Sequence, residues 1–180
     1  MNARFSRTAL ALAAITVFLA GNALGQGAPS HHGFWFSAGL GYGSLGCQNC
    51  GSRTGGGSGY ISLGGSLGQK VLLGVSSNAW MKSENGSTLT VSAFTAAIRF
   101  YPSATNGFFL LGGLGLGTVS ANVSGVGSGS ESGAAAVLGL GYDLRIGPKV
   151  SLTPYWNGYA MSSSNTNANV GQIGLAITVR

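Results

Sequence analysis

Four segments of the chain carry large apolar residues at every second position, with Gly, Ser, Ala or Thr between them: residues 34–42, 108–118, 134–144 and 170–179. Successive side chains of a β-strand point to opposite faces of the sheet, so this alternation predicts strands with one apolar face and one small or polar face. No helical segment in the mature chain is expected to cover the apolar face. We therefore expect lipid to cover it, with the strands closed into a barrel so that no backbone group lacks a partner in hydrocarbon.

The first 25 residues have the pattern of a secretory signal peptide. Arg4 and Arg7 precede an apolar run, and small residues lead up to Gly25. The apolar run is shorter than the roughly 20 residues that a spanning helix needs. The pattern predicts export, cleavage after Gly25, a flexible periplasmic lead over residues 26–33 and an outer-membrane barrel over residues 34–180.

Composition argues against an ordinary soluble domain and against a nucleic-acid partner. Charged residues make up 7% of the chain, whereas soluble domains have about 25%. Loss of the first 25 residues would leave seven basic residues against three acidic ones, so the net charge would fall from +6 to +4. These seven are scattered rather than clustered, which gives no footprint for nucleic acid: Arg53, Lys70, Lys82, Arg99, Arg145, Lys149 and Arg180.

Eight strands are predicted, near residues 34–45, 59–67, 71–82, 89–101, 107–118, 134–146, 149–161 and 169–180. Short turns are expected at residues 68–70, 102–106 and 147–149. Mostly longer, Gly/Ser/Asn-rich loops are expected at residues 46–58, 83–87, 119–133 and 162–168. Short periplasmic turns opposite longer external loops are typical of outer-membrane barrels. Pro154 lies inside the seventh strand and predicts a bulge or an early bend there.

The strand parity assigns side chains to the two faces of the barrel. The residues predicted to face lipid are Leu40, Leu63, Val71, Leu73, Val75, Ile98, Leu110, Leu114, Leu116, Leu138, Leu140, Val150, Leu152, Ile173, Leu175 and Ile177. Glycines, Ser, Asn, Thr and the charged residues Arg99, Asp143 and Arg145 are predicted to face a narrow lumen that side chains fill. Aromatic residues near the strand ends are expected to form two girdles at the membrane surfaces: Phe34, Trp35, Phe36, Tyr42, Tyr60, Trp80, Phe100, Tyr101, Phe108, Phe109 and Tyr159.

Four motifs resemble a known family: Gly-Leu-Gly-Tyr-Asp-Leu-Arg at residues 139–145, Phe-Leu-Leu-Gly-Gly-Leu-Gly-Leu-Gly at 109–117, Ala-Ile-Arg-Phe-Tyr-Pro at 97–102 and the segment 172–180. They are similar to the small outer-membrane barrels of the OmpA-like and OmpX-like group. The resemblance implies an all-β, eight-stranded, antiparallel up-and-down transmembrane barrel in the outer membrane of a Gram-negative cell. It also implies lipid and the barrel-assembly machinery as partners. Family members usually end in an aromatic residue, whereas this sequence ends in Arg180.

Cys47 and Cys50 are the only cysteines and lie in the first predicted external loop. In an exported protein, two cysteines this close most often form a disulfide that restrains a loop. A redox centre would need a neighbour that lowers a thiol pKa, and only Arg53 is near in sequence. A metal site would need His31 and His32, which the first strand should place on the opposite side of the membrane. We expect a disulfide, with no metal or cofactor.

Arg99, Asp143 and Arg145 are predicted to pair as a charge cluster in the lumen, because an isolated charge there would be costly. The cluster could fix the register of the barrel or act as a gate. No strand or loop carries a histidine, so a hydrolytic Ser/His/acid arrangement cannot form at the lipid surface. The sequence therefore predicts a non-enzymatic, monomeric barrel with a structural or surface-interaction role and an unidentified surface ligand. The alternatives are a narrow passive channel for ions or small solutes, and a soluble barrel that holds an apolar ligand.

Overall fold

The structure is a computed structural model that describes residues 33–47, 51–125, 127–164 and 166–180. The predicted signal peptide, most of the predicted lead, His31, His32 and Cys50 lie outside the described residues. Over those ranges, no helix is long and apolar enough to cross a membrane. The strands are β1 (Phe34–Cys47), β2 (Thr54–Ser66), β3 (Val71–Glu84), β4 (Ser87–Phe100), β5 (Phe108–Val123), β6 (Gly127–Tyr142), β7 (Leu144–Arg145), β8 (Val150–Ser162) and β9 (Asn167–Val179).

The strands form a closed, antiparallel, eight-stranded barrel, as predicted. Each strand pairs with its neighbour in sequence, and β1 pairs with β9 to close the wall. β6 and β7 are two parts of one barrel strand, interrupted at Asp143, and both pair with β8. We call the end where β1 begins and β9 finishes the terminal end, and the opposite end, which carries the β1–β2, β3–β4, β5–β6 and β8–β9 connections, the loop end.

Pro154 produces no bulge, contrary to the prediction. Gly141 pairs with Tyr155 and Leu144 pairs with Leu152. Both strands therefore advance by three residues across the interruption, and neither carries the extra residue of a bulge. The ladder is interrupted on the strand opposite Pro154 instead, because proline has no N–H to donate. On the other side of β8, Pro154 remains in register with Leu175.

The apolar face of the wall points outward, as the alternation predicted. Leu40, Leu114 and Leu138 expose 80%, 73% and 68% of their surface. On the same strands, the intervening residues Gly39 and Gly139 are buried. A continuous apolar band around the outside of a closed sheet suits a hydrocarbon environment. This arrangement is the reverse of a soluble barrel that holds an apolar ligand.

Aromatic side chains fill much of the lumen, which corrects part of the expectation that the aromatics form girdles. Each of these residues alternates with an outward neighbour, so the parity that places Phe34 and Phe36 outside must place Trp35 inside. The residues predicted for the girdles that instead lie buried in the interior are Trp35, Tyr60, Trp80, Tyr101, Phe109 and Tyr159. Four of the predicted girdle residues do face outward, namely Phe34, Phe36, Tyr42 and Phe100, and so do Phe94, Tyr142 and Trp156. Phe108 is half-buried.

Inward glycines give these rings their space. A Cβ on Gly43 would lie 2.6 Å from Cδ1 of Trp80, and a Cβ on Gly39 would lie 2.8 Å from Cε1 of Tyr155. The Trp80 indole N–H also donates to the carbonyl oxygen of Gly43, at 3.1 Å. The glycines therefore bring the wall against large rings rather than lining an open passage.

The strands extend further toward the loop end than predicted, so the external loops are shorter than predicted. Residues 54–58 belong to β2, and residues 119–123 and 127–133 belong to β5 and β6. Only Asn85 and Gly86 separate β3 from β4. Gly- and Ser-rich segments have weak strand propensity of their own, but ladder hydrogen bonds to a neighbouring strand hold them extended.

Candidate functional site

A charged cluster occupies the lumen near the terminal end. Asp143 is buried, and its two carboxylate oxygens have different partners. Oδ1 accepts a hydrogen bond from the Thr153 hydroxyl at 2.6 Å, and Oδ2 accepts one from the Tyr101 hydroxyl at 2.7 Å. The Arg180 guanidinium also donates to Oδ2 and forms an ion pair with it. The buried carboxylate is therefore bonded to two hydroxyls and one cation.

Arg180 takes the place that the sequence assigned to Arg145. Arg145 faces inward by parity but lies two residues beyond Asp143, at the rim, where its guanidinium donates to the carbonyl oxygen of Pro148 at 3.0 Å. Its side chain is partly exposed there. Arg180 follows β9, which pairs with β8, and its side chain points back into the lumen. Arg99 and Asp143 are both buried in the lumen, and the hydrogen bond from Arg145 to Pro148 lies at the partly exposed rim.

Arg99 is held mainly by aromatic rings. Its guanidinium carbon lies 4.4 Å from the ring centre of Trp35 and 4.6 Å from that of Phe109. One terminal nitrogen donates to the Tyr60 hydroxyl at 3.3 Å. Cation–π contacts compensate part of the cost of burying the charge. Both rings pack against the guanidinium, so this cluster forms part of the packed interior.

The described residues contain no group of three or more His, Cys, Asp or Glu that could hold a metal ion. Cys47 is disulfide-bonded. Cys50, the other half of the predicted pair, lies outside the described residues, and so do His31 and His32. The pairing of Cys47 with Cys50 therefore stays a prediction.

A four-stranded sheet rises above the barrel rim at the loop end. The pairing of β2 with β3 begins at Gly57 and Met81, and that of β6 with β8 begins at Ala134. Beyond these points, β3, β4, β5 and β6 continue to pair with one another. We call this part the protruding sheet and define it as residues 82–84, 87–90, 120–123 and 127–133.

The two edges of the protruding sheet differ in chemistry. The β3 edge carries Lys82 and Glu84, whose side chains form an ion pair at 2.7 Å. The hydrogen bond from Lys82, together with its positive charge, lowers the pKa of the Glu84 carboxyl. Charges at an edge strand discourage pairing with other chains. The β3 edge is therefore protected.

The β6 edge differs in composition. Residues 127–133 read Gly-Ser-Gly-Ser-Glu-Ser-Gly, and their ladder partner within the described residues is β5. The first four of them are exposed, about 13 Å of backbone, whereas Gly133 lies against Ser162 and Ser163. The carboxylate of Glu131 accepts hydrogen bonds from the hydroxyls of Ser163 and Thr166, which holds it toward the β8–β9 connection. The open edge thus presents main-chain donors and acceptors without proline or basic side chains.

The sequence reasoning missed the open edge and the role of Arg180. The alternation of Val119, Ala121 and Val123 with Ser120 and Asn122 is a strand signal in the segment that was assigned to a loop. Asn-Gly at residues 85–86 is a strong hairpin signal and would have extended β3 and β4. No comparable signal pointed to Arg180, because its side-chain direction depends on how β9 closes against β1 and β8.

No protein-family model matches the chain, and no curated protein matches it. Solved structures match it in fold. Ail, the attachment invasion locus protein of Yersinia pestis, is 13% identical, with a TM-score of 0.63 over 82% of this chain and 99% of that one. Neisserial surface protein A is 16% identical, with a TM-score of 0.61 over 81% and 96%. Ail bound to the heparin analogue sucrose octasulfate is 15% identical, with a TM-score of 0.61 over 81% and 99%.

These neighbours are small eight-stranded outer-membrane barrels. At 13–16% identity, the similarity concerns the fold. It extends over 82% and 81% of this chain. The chain therefore has the fold of the small eight-stranded outer-membrane β-barrels, the group that its sequence motifs resemble.

Proposed function

We propose that this chain is an exported, non-enzymatic, integral outer-membrane protein of Gram-negative type that binds an extended segment of another protein at its surface. The open β6 edge of the protruding sheet carries the proposal. An extended chain can add to such an edge as a further strand, with main-chain hydrogen bonds supplying most of the affinity. The Gly and Ser residues of this edge offer little side-chain selectivity, so the partner class is an exposed strand or strand-forming segment of varied sequence.

The contrast between the two edges supports this function over a purely structural one. Lys82 and Glu84 protect the β3 edge in the way that natural sheets avoid unwanted pairing. On the β6 edge, Gly127, Ser128 and Gly129 are exposed and carry no charged side chain. A sheet that needed only to avoid aggregation would protect both edges.

The lumen supports a barrel that does not conduct. Trp35, Trp80 and Arg99 are each at least 99% buried in the interior. Water or ions could pass only if these side chains moved, and Arg99 would then lose its ring contacts. The predicted alternative, a narrow passive channel, receives no support from this packing. A binding role at the surface needs no passage through the barrel.

The acidic residues of the described chain support a non-enzymatic role. Asp143 is enclosed by Tyr101, Thr153 and Arg180, and the Glu131 carboxylate is engaged by two hydroxyls. Glu84 is paired with Lys82 at the edge of the sheet. All three carboxylates are thus engaged by hydroxyl or cationic partners, whereas a general acid or base must reach a proton of the substrate.

Peptide binding to the purified protein in detergent tests the proposal. The probe is a fluorescent peptide that copies residues 117–123, because this sequence already pairs antiparallel with residues 127–133 on the other side of β6. We expect saturable binding by fluorescence anisotropy. A peptide with proline at its central position should not bind, since proline removes a main-chain donor and does not fit a paired strand.

Matched variants locate the binding. Ser128→Lys with Ser130→Lys places charges on the open edge and should lower the affinity for the peptide at least tenfold. Ser120→Lys adds a charge to the same sheet on the inner strand β5, directly opposite Ser130, and should leave affinity within twofold. Absence of binding at millimolar peptide, or equal binding of the proline peptide, would contradict the proposal.

The membrane location has its own test. Cell fractionation should place the protein in the outer membrane, and the folded barrel should migrate differently on gels before and after boiling. Mass spectrometry of the mature chain should find Gln26 as its first residue. A soluble periplasmic fraction, or a chain that retains residues 1–25, would overturn the corresponding part of the proposal.

A further inference from the structure

A trough of about 440 Å³ lies on the outer face of the barrel wall toward the loop end. Two cross-strand rows form its floor, one of Leu138, Gly158 and Gly171 and the next of Ala136, Ala160 and Asn169. Most of these side chains are small, so the wall is recessed between Trp156 on one side and the loop end on the other. The trough is thus open to the surrounding lipid.

Arg53 lies at the loop end of this trough and is fixed against the wall. Its Nε donates to the Ser44 hydroxyl at 2.9 Å, and its Nη1 donates to Oδ1 of Asn169 at 2.7 Å. Its Nη2 donates to the carbonyl oxygen of Ser44. Gly46 lies directly beneath, since a Cβ there would be 2.7 Å from Nη1. A guanidinium has five N–H groups, so one on each terminal nitrogen is left to bind a further acceptor.

The three acidic residues of the chain are all engaged away from Arg53. Asp143 is in the lumen with Arg180, Glu84 is paired with Lys82, and Glu131 accepts from hydroxyls of the β8–β9 connection. Every acceptor that holds Arg53 in the described part of the chain is neutral. The outer face therefore presents a fixed cation with no protein counter-ion.

Arg53 lies in the part of the barrel wall that is near the lipid headgroups. Trp156 lies at the middle of β8, and Asn169 is in register with Ala160, four residues toward the loop end. Four strand residues span about 13 Å along the strand, which is about 10 Å along the membrane normal at a strand tilt of about 40°. Asn169 therefore lies about 5 Å inside the edge of a hydrocarbon layer roughly 30 Å thick and centred on Trp156. A second depression of about 600 Å³ adjoins the first at Trp156 and continues toward the terminal end past Leu140 and Leu175. An apolar track thus leads from the guanidinium toward the middle of the membrane.

We propose that the trough binds one anionic, phosphate-bearing lipid of the surrounding leaflet. The lipid phosphate accepts hydrogen bonds from the two remaining N–H groups of Arg53, and this two-bond geometry suits a guanidinium. One acyl chain lies along the recessed floor over Gly171 and Gly158 and reaches Trp156. The charge of Arg53 and the apolar track together select an anionic amphiphile over a free phosphate, which would leave the track empty.

Trp156 gives a specific readout. It is 46% exposed on the outer face, whereas Trp35 and Trp80 are 1% and 0% exposed in the lumen. Lipids with brominated acyl chains quench tryptophan fluorescence on contact, so they report on Trp156 alone. The protein is reconstituted in phosphatidylcholine vesicles that contain a small fraction of either dibrominated phosphatidylglycerol or dibrominated phosphatidylcholine. We expect half-maximal quenching at about fivefold lower mole fraction for the glycerol lipid, the preference that one basic residue near a membrane surface confers.

Variants separate the parts of the site. Arg53→Gln should abolish the preference and leave quenching by phosphatidylcholine unchanged. Gly171→Leu, which fills the floor of the trough, should reduce quenching by both lipids. Lys149→Gln removes an exposed cation at the opposite end of the barrel and should leave the preference intact. Raising the salt to 1 M in the wild-type protein should also reduce the preference, because the contact is ionic and accessible to solvent.

Equal quenching by the two brominated lipids in the wild-type protein would overturn the proposal. A full preference retained by a folded Arg53→Gln variant would do so as well. The salt measurement needs no variant and keeps the test valid if Arg53→Gln fails to fold. The result is independent of peptide binding, since Ser128→Lys with Ser130→Lys should keep the lipid preference.

Discussion

The Arg180 guanidinium donates a hydrogen bond to the buried carboxylate of Asp143 and thereby links the end of β9 to the junction of β6 and β7. The same guanidinium donates to the Tyr101 hydroxyl at 2.6 Å, and that hydroxyl donates to Asp143. Three separate parts of the wall therefore meet at one carboxylate. Because the side chains of Asp143 and Arg180 are 0% and 9% exposed, the pair is largely shielded from water.

Loss of either member of this pair should destabilise the barrel. Asp143→Asn leaves Arg180 and Arg99 as buried cations without a carboxylate, and removal of one partner from a buried pair typically costs about 3–5 kcal/mol. Arg180→Gln should cost less, because Tyr101 and Thr153 still donate to Asp143. Urea unfolding of the reconstituted barrel, followed by tryptophan fluorescence, measures both.

The double variant and a rim control complete this test. Asp143→Asn with Arg180→Gln should be more stable than the sum of the single losses predicts, since the two residues interact directly. Arg145→Gln, at the partly exposed rim, should change stability by no more than about 0.5 kcal/mol. If the double variant loses as much stability as the two single variants together, the ion pair contributes nothing of its own.

A methyl group on Gly43 should also be costly. Its Cβ would lie 2.6 Å from the Trp80 ring, and Trp80 is fully buried, so Gly43→Ala must displace a packed indole. Overpacking of this kind typically costs about 1–3 kcal/mol. The unfolding free energy and the shift of the tryptophan emission maximum are the measurements. Gly65→Ala, where no atom lies within 4 Å of the added Cβ, should be neutral.

The packed lumen predicts the absence of steady ion conduction. Planar bilayers that contain the refolded protein should show no stable open level above the baseline. Truncation of the aromatic packing by Trp35→Ala should release one ring contact of Arg99 and increase brief current fluctuations. A stable wild-type conductance that lumen variants abolish would support the channel alternative and contradict the assignment of a closed interior.

The ion pair at the β3 edge predicts a pH-dependent signal. The Lys82 contact lowers the pKa of Glu84, so the pair is fully formed above the ordinary glutamate pKa of about 4.3 and is lost as the pH falls through the lower folded value. An NMR titration of Glu84 should show this depressed pKa, and Lys82→Gln should raise it toward the ordinary value. An unchanged titration in Lys82→Gln would exclude the pairing in solution.

Period-two alternation predicted the fold because a single rule decides every outward residue of a strand. The alternation with their neighbours in sequence was enough to place Leu114 and Leu138 on the outer face, where the structure has them. The same rule should have placed Trp35 and Phe109 inside, but the preference of aromatic rings for membrane surfaces outweighed it in the prediction. Within a strand that spans a membrane, parity is the stronger constraint, since the backbone fixes it.

The lumen cluster was predicted only in part, because its members come from distant parts of the chain. Arg99 and Asp143 face inward on strands whose register the sequence indicates. The choice between Arg145 and Arg180 depends on depth along the barrel, which is set by strand tilt and closure rather than by local pattern.

The extents of β5 and β6 were missed for a different reason. Their Gly/Ser segments gain order from cross-strand pairing, which composition does not reveal.

The connection between β3 and β4 gives a final prediction, since its geometry restricts which residues it accepts. Asn85 has φ of 50° and Gly86 has φ of 75°, as expected for a two-residue turn with both central residues in the left-handed region. Gly86→Ala should cost about 1 kcal/mol because a Cβ is strained at this φ, and Asn85→Gly should be tolerated. Gly112→Ala, on β5 with extended backbone and a nearest contact of 3.8 Å, is the matched control and should not destabilise. Equal unfolding free energies for Gly86→Ala and Gly112→Ala would show that this turn does not constrain the protruding sheet.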